Sequence, residues 1–401
     1  MSDHGSKEVK EEYFDYKNVG SHFVVLALLA VVCLGACFVL ALHSKADQTQ
    51  FAFSWLFAFM FFFTMCVGGL FWQLVHYGTD AEWSVVVRRQ MENMACLTPV
   101  LALLFIPLIF VRHDLWTWMT MLPGQDVILD EKAAYLNPKF FWIRTAFYFV
   151  FFIGASFLFH WNSVAQDKNG LAKYTVRARK MTFASLPFFA VCLTFAAIDW
   201  LMSLNSHWFS TMWGVYIFAG TALSSMCVLV LIIRALDNAG YFKGVITAEH
   251  YHLMGKWMLA FTVFWAYIGF DQYMLIWYAN IPEETVYFLL RNSGSWCNMN
   301  WVLVIGHFFI PFVFLLQQPL KARPRLLCVV AVWVLVMHLM DMYIIVLPVL
   351  HRTGVDVKPL DFLCVAAIGF TLAAVFLKRL GNTPLWPIRD PRLAQSLNTK
   401  N

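Results

Sequence analysis

Three aspartates stand inside otherwise apolar stretches: Asp199, Asp271 and Asp341. An ionisable side chain within a bilayer costs ~2.5–3.5 kcal/mol to insert, so each is a candidate for function. Each lies about 15 residues, or about 23 Å at 1.5 Å per residue, from the inner end of its own stretch. The three therefore share one depth on three alternate helices, in the outer third of a membrane. Two readings fit that pattern: a layer that handles protons, or carboxylates that merely reach the headgroups. No Glu falls in the apolar body of any stretch. Two histidines lie deeper. His307 is central in its stretch and His338 in the next, with Asp341 one turn beyond His338 on the same face. A His–Asp pair at that spacing can share a proton near neutral pH. The two histidines could equally ligate a b-type haem from adjacent helices, or make a plain interhelical hydrogen bond.

A second polar group lies towards the other side. It comprises His76, Asp80, Glu82, Arg88 and Arg89 between the second and third stretches, His160 closing the fourth, and Lys256 opening the seventh. Ordinary interfacial charges would look the same. The adjacent Arg88 and Arg89, on a helical extension, suit burial of one of them against Asp80 or Glu82. An inner cluster and an outer carboxylate layer with histidines between them is what two proton half-channels require; a plain bundle with polar ends would also show it.

The elements that must position these groups follow from composition. Of 401 residues, 60% are hydrophobic and only 13% charged, with 39 Phe. Ordinary soluble domains run nearer ~45–50% apolar and ~25% charged, so a soluble domain, a disordered chain and a disulfide scaffold are all excluded. A hydrocarbon core of ~30 Å needs ~20 apolar helical residues. Ten such runs occur, at about 22–42, 51–75, 90–111, 140–160, 183–204, 211–235, 256–278, 298–318, 326–348 and 361–379. They are continuous rather than alternating, which excludes barrel strands. The third is the least clean, its apolar part beginning only at Leu97. The expected fold is an all-α polytopic membrane protein with polar tails at 1–21 and 380–401. With the N-terminus inside, 21 of the 29 Lys and Arg fall in inner segments, which places both termini in the cytoplasm. The polar N-terminus lacks the pattern of a cleaved signal peptide.

Spans two to five and six to nine read as two parallel sets of four, each last member carrying an outer Asp, Asp199 and Asp341. The outer loop 112–139 holds Trp116 and Trp118, which suit either a seat on the membrane interface or a docking surface. None of the nine cysteines forms a Cys-x-x-Cys pair; they read as small buried hydrophobes. There is no P-loop and no Gly-rich dinucleotide motif. No basic block alternates with aromatics, so nucleic acid is not an expected partner.

Longer motifs carry a resemblance. They are Trp83-Ser84-Val85-Val86-Val87-Arg88-Arg89 after His76; Ala197-Ile198-Asp199-Trp200-Leu201-Met202-Ser203-Leu204-Asn205-Ser206-His207-Trp208; His250-Tyr251-His252-Leu253-Met254-Gly255-Lys256; Phe270-Asp271-Gln272-Tyr273-Met274-Leu275-Ile276-Trp277-Tyr278; and Asp390-Pro391-Arg392-Leu393. From about residue 20 onward the chain resembles the ActF membrane subunits of bacterial alternative complex III, within the polysulfide-reductase membrane-subunit (NrfD-like) family. The resemblance implies two four-helix bundles plus two peripheral helices in the bacterial inner membrane. It implies membership of a quinol:cytochrome c oxidoreductase, with menaquinol and lipid as the small-molecule ligands and no covalent cofactor. The implied partners are a paralogous quinol-binding membrane subunit, an iron–sulfur subunit, multihaem and monohaem cytochrome c subunits, small membrane subunits and a cytochrome c oxidase. The positions carried over by motif are His76, Arg88, Arg89, Asp199, His207, Lys256, Asp271, Gln272 and Tyr273. Three roles are then in play: a proton-conducting subunit, a second quinol-binding subunit with an outer site at Asp199 or Asp271 and His207, or a scaffold.

Overall fold

The structure is a computed structural model, and it describes residues 11–15 and 20–399. Of the expected tails, 1–21 and 380–401, residues 1–10, 16–19 and 400–401 lie outside the described residues. Among those described there is no strand, and ten helices are long and apolar enough to cross a membrane. They are α1 (Gly20–Ala41), α2 (Lys45–Gly78), α3 (Glu82–Phe110), α4 (Pro138–Asn169), α5 (Lys173–Asn205), α6 (Trp213–Asn238), α7 (Ala248–Ala279), α8 (Gly294–Leu316), α9 (Pro324–Val349) and α10 (Pro359–Leu380).

Local chemistry sets the ends. Ser44 caps α2 by accepting from the Asp47 amide, so the helix starts six residues before its apolar run. Asn137 caps α4 with Pro138 at its first turn, and Gly170 closes it in the left-handed region at φ 66°. α3 is a chain of short pieces, Glu82–Ser84, Val85–Ala95, Thr98–Leu104 and Ile106–Phe110. Pro99 and Pro107 withhold the amides that a continuous helix would need.

α2 is the hub: 94% of its most apolar window is buried. It touches α1, α3, α4, α5, α6, α9 and α10. α2, α3, α4 and α5 close a ring of neighbouring contacts, α6, α7, α8 and α9 close a second, and α1 pairs with α10 on the outside of α2. The two rings meet along α2 and α6. Gly68 makes that approach possible, since a Cβ there would collide with Ser225 Oγ and stand 2.5 Å from the Thr221 carbonyl. Close backbones between small residues are how helices gain packing energy in lipid, where apolar burial offers little.

The segments 11–15, 80–81, 167–171, 237–242 and 385–399 gather at one end, called here the tail face. The Leu385 amide donates to the Glu12 carbonyl, the Asp15 amide to Tyr241, and Arg389 to the Lys168 carbonyl. The opposite end is the far face. Its loop 111–137 does not present its tryptophans. Trp116 is fully buried and Trp118 nearly so, both packed on Phe141. Neither expected use of these rings, interface seat or docking surface, is available to them.

Candidate functional site

Buried polar chemistry falls into three places. The first is the far end of the first ring. Asp199 is fully buried and accepts from Arg144 Nε at 2.8 Å, Arg144 Nη2 at 2.7 Å and Tyr148 Oη at 2.7 Å. The Arg144 guanidinium also stacks 3.9 Å from the centre of the Tyr135 ring. This two-pronged pair holds the carboxylate shut inside protein, so Asp199 does not reach the headgroups. His207 is not its partner. It bonds Asp126 at 2.5 Å in the exposed loop, where that contact, above all, draws the Asp126 carboxyl below its usual range.

The second place is a ladder on the tail face. Arg88 pairs with Asp390 of the tail. Arg89 pairs with Glu92 at 2.6 Å and with Asp167, and His160 Nδ1 lies 3.2 Å from the same Glu92. Arg392 reaches Asp390 and Asp80, and Arg179 closes on Asp80 at 2.6 Å. The expectation that Arg88 or Arg89 is buried against Asp80 or Glu82 is thus corrected. Both are buried, but on Asp390, Glu92 and Asp167, while Glu82 is exposed. Glu92 also corrects the expectation that no Glu enters a span, for it is wholly buried within α3. Burial alone would raise the Asp390 carboxyl, yet Arg88 and Arg392 hold it far below the usual carboxylate range.

The third place is a seam through the second ring and along α2. Asp341 is buried; its Oδ1 accepts from Tyr216 Oη at 2.6 Å and its Oδ2 from Trp265 Nε1 at 3.1 Å. The Trp265 ring packs 4.1 Å from His307, and the His307 and His338 rings are 6.3 Å apart. His307 lies in a π-helical turn, Val304–Phe309. Within it the Gly306 carbonyl takes a bond from Trp333 Nε1 at 2.7 Å. Such turns gather at functional positions. His338 Nε2 meets Thr64 Oγ1 at 2.9 Å. From Thr64 the seam continues down one face of α2, through Gly68, Trp72 and His76 at a spacing of four, about 18 Å of helix. Trp72 Nε1 donates to Ser225 Oγ at 3.1 Å and its ring stacks on His76 at 5.6 Å. Both ring nitrogens of His76 and of His307, and Nδ1 of His338, are buried with no protein partner among the described residues.

A haem does not fit between the two histidines. His338 packs on Phe61, and a Cβ added at Gly220 would already lie 3.0 Å from its ring.

The remaining candidates stand apart. Asp271 is half-buried and makes no hydrogen bond or ion pair among the described residues. Its neighbour Gln272 is the one turned inward, 4% exposed, with Nε2 unpartnered. Tyr273 is partly exposed, edge-on to Phe288. Lys256 is half-buried without a bonded partner among the described residues. Across the membrane from it in sequence terms, Arg291 is buried and rests on the carbonyls of Tyr287, Ile344 and Ile345 rather than on a carboxylate. Residues that sequence reasoning left without a role are Arg144, Glu92, Asp167, Asp390 and Arg291. Arg144 carried a legible signal, a lone Arg in a Phe-rich run. The chain matches no known family model and no curated protein.

Proposed function

We propose that this chain is a proton-conducting subunit of a membrane-embedded, quinol-oxidising respiratory complex, with a secondary role in anchoring partner subunits. One observation carries the proton role: a line of buried, partnerless imidazole nitrogens between Asp341 and the tail-face ladder. Buried polar atoms are nearly always hydrogen-bonded, to ordered water where protein supplies nothing. His307 and His338 in the second ring, and His76 on α2 about 18 Å of helix beyond Thr64, are therefore places for water and for proton exchange. Asp341 and the ladder of Arg89, Glu92 and His160 would be the two ends of that line. The complex itself is supported by the resemblance of the motifs to alternative complex III. On that reading the two helix rings are its two four-helix bundles, α1 and α10 its peripheral pair, and both termini face the cytoplasm of a bacterium. The iron–sulfur subunit, the paralogous quinol-binding subunit and the haem subunits, with menaquinol as substrate of the assembly, complete the proposal.

The test uses the full chain with whatever co-purifies from its native membrane, reconstituted in liposomes with a trapped pH dye. Proton flux is read under a potassium diffusion potential and again during quinol oxidation. The expected result is a flux that falls at least tenfold in His338→Leu and Asp341→Asn. Flux no greater than in empty liposomes under both conditions overturns the reading and leaves a scaffold.

A further inference from the structure

Seven of the nine cysteines fit the reading of small apolar side chains; two do more. Cys37 and Cys364 are fully buried, and their sulfurs lie 3.9 Å apart across the contact of α1 with α10. Along α1 only Ala30, Cys37 and Ala41 are buried. Their spacings of seven and four put them on one narrow strip of small residues facing the protein. On α10 the buried face includes Cys364, Ala367 and Ile368. Small side chains let two helices approach closely, and here that approach brings the two thiols together. Cys33, one turn earlier on α1, is only half-buried.

Both sulfurs sit near the far face. Cys37 is four residues from the end of α1 and Cys364 five residues from the start of α10, or about 6 and about 8 Å of helix. Lys45, at the turn between α1 and α2, pairs with Asp114 of the far-face loop, and His351, before α10, bonds Gln50 of α2. The Lys and Arg imbalance puts this face outside the cytoplasm, where thiols are oxidised rather than kept reduced. A thiolate metal site needs further ligands, and no group of three or more His, Cys, Asp and Glu side chains gathers for one among the described residues. Asp361, one turn before Cys364, is taken by Gln50, Ser54 and the Lys358 amide. α1 is otherwise weakly held, with 11% of its most apolar window buried. A bond at this point ties the most exposed span to the molecule across 327 positions of sequence.

We infer that Cys37 and Cys364 form a disulfide that ties α1 to α10, a covalent modification site at the outer side of the membrane. The inference rests on the cytoplasmic placement of both termini proposed above. The oxidant is a disulfide, carried by a protein or a small molecule on the extracytoplasmic side. One cysteine thiolate attacks it and releases a thiol; the other then attacks the first cysteine's sulfur in the mixed disulfide and releases the second thiol. Two protons and two electrons thus leave the cysteine pair and reduce the oxidant's disulfide to two thiols. α10 is the last span made, so exchange takes place while its far end is open, before the helix contact buries both sulfurs.

The test uses intact cells that make the full chain natively. They are quenched in acid, free thiols are blocked with N-ethylmaleimide in denaturant, and the purified chain is digested without reductant for mass spectrometry. The expected result is a linked peptide joining Cys37 to Cys364 in most chains, with Cys33 carrying maleimide. In Cys37→Ala the linked peptide is lost and Cys364 carries maleimide instead. Maleimide on both Cys37 and Cys364 of the wild type overturns the proposal. Labelling of Gly124→Cys from outside parallel cells then assigns the failure to the pair; labelling only after permeabilisation assigns it to the topology. Neither result bears on the flux of His338→Leu, so the disulfide and proton conduction fail separately.

Discussion

Asp199 illustrates what a single buried charge demands. With Arg144 and Tyr148 in place its carboxylate is satisfied on both oxygens. Removing it alone strands a guanidinium in apolar surroundings. Asp199→Ala should therefore lower stability by about 3–5 kcal/mol, read as a large fall in thermal unfolding temperature in detergent. The double variant Arg144→Leu/Asp199→Leu should regain most of that loss, and a double as unstable as the single would refute the pairing argument. The three aspartates were visible in the sequence because a charge in an apolar run is conspicuous. Their surroundings were not, because depth along a helix says nothing about which way a side chain faces. Asp271 and Gln272 are adjacent, about 100° apart around α7, and that rotation alone puts the amide inside and leaves the carboxylate without a partner.

Helices were legible one by one from hydropathy, all ten of them, while their irregularities were not. A window average does not register the proline breaks in α3 or the π-turn around His307, since both change hydrogen-bond register without changing composition. The contact of α2 with α6 is set at a finer grain still. Gly68→Ala forces a methyl into Ser225 and the Thr221 carbonyl, and should cost about 1–3 kcal/mol. Gly35→Ala on α1, where a Cβ meets nothing within 4 Å, should be neutral or slightly stabilising. Equal thermal shifts for the two would refute the close-packing account. The docked tail behaves as an element too. Asp390 has a depressed carboxyl in the folded state, so its contribution is full above the ordinary carboxylate value of ~4 and declines only as pH falls below that. Hydrogen exchange across 385–397 should stay slow from pH 7 to about 4 after correction for intrinsic rates. Asp390→Asn should speed it at pH 7 by unpairing Arg88.

At the scale of the whole molecule, the Lys and Arg imbalance predicts which end faces the cytoplasm. A cysteine placed at Gly124, on the far face, should react with a membrane-impermeant maleimide added to intact cells. One placed at Asn398, on the tail face, should react only after permeabilisation. The reverse pattern would invert the topology and, with it, the direction of any proton path. Alternating helices suggested two sets of four, but the sequence could not show that α2 touches helices of both. That sharing rests on the close approach of Gly68 to Thr221 and Ser225 of α6, which carries no hydropathy signal.

The position of α2 has a consequence for how the chain is made. It is the second helix to leave the ribosome, yet its neighbours include α9 and α10, the last two. Through most of synthesis its polar positions Gln50, Ser54 and Thr64 lack the partners they bond in the finished chain, Asp361, His351 and His338. A helix of this kind must be held at the insertion machinery, or by a chaperone, until some three hundred further residues have been translated. A ribosome that stops short of α10 therefore leaves an exposed core helix, and a marked target for membrane proteases, rather than a smaller functional bundle.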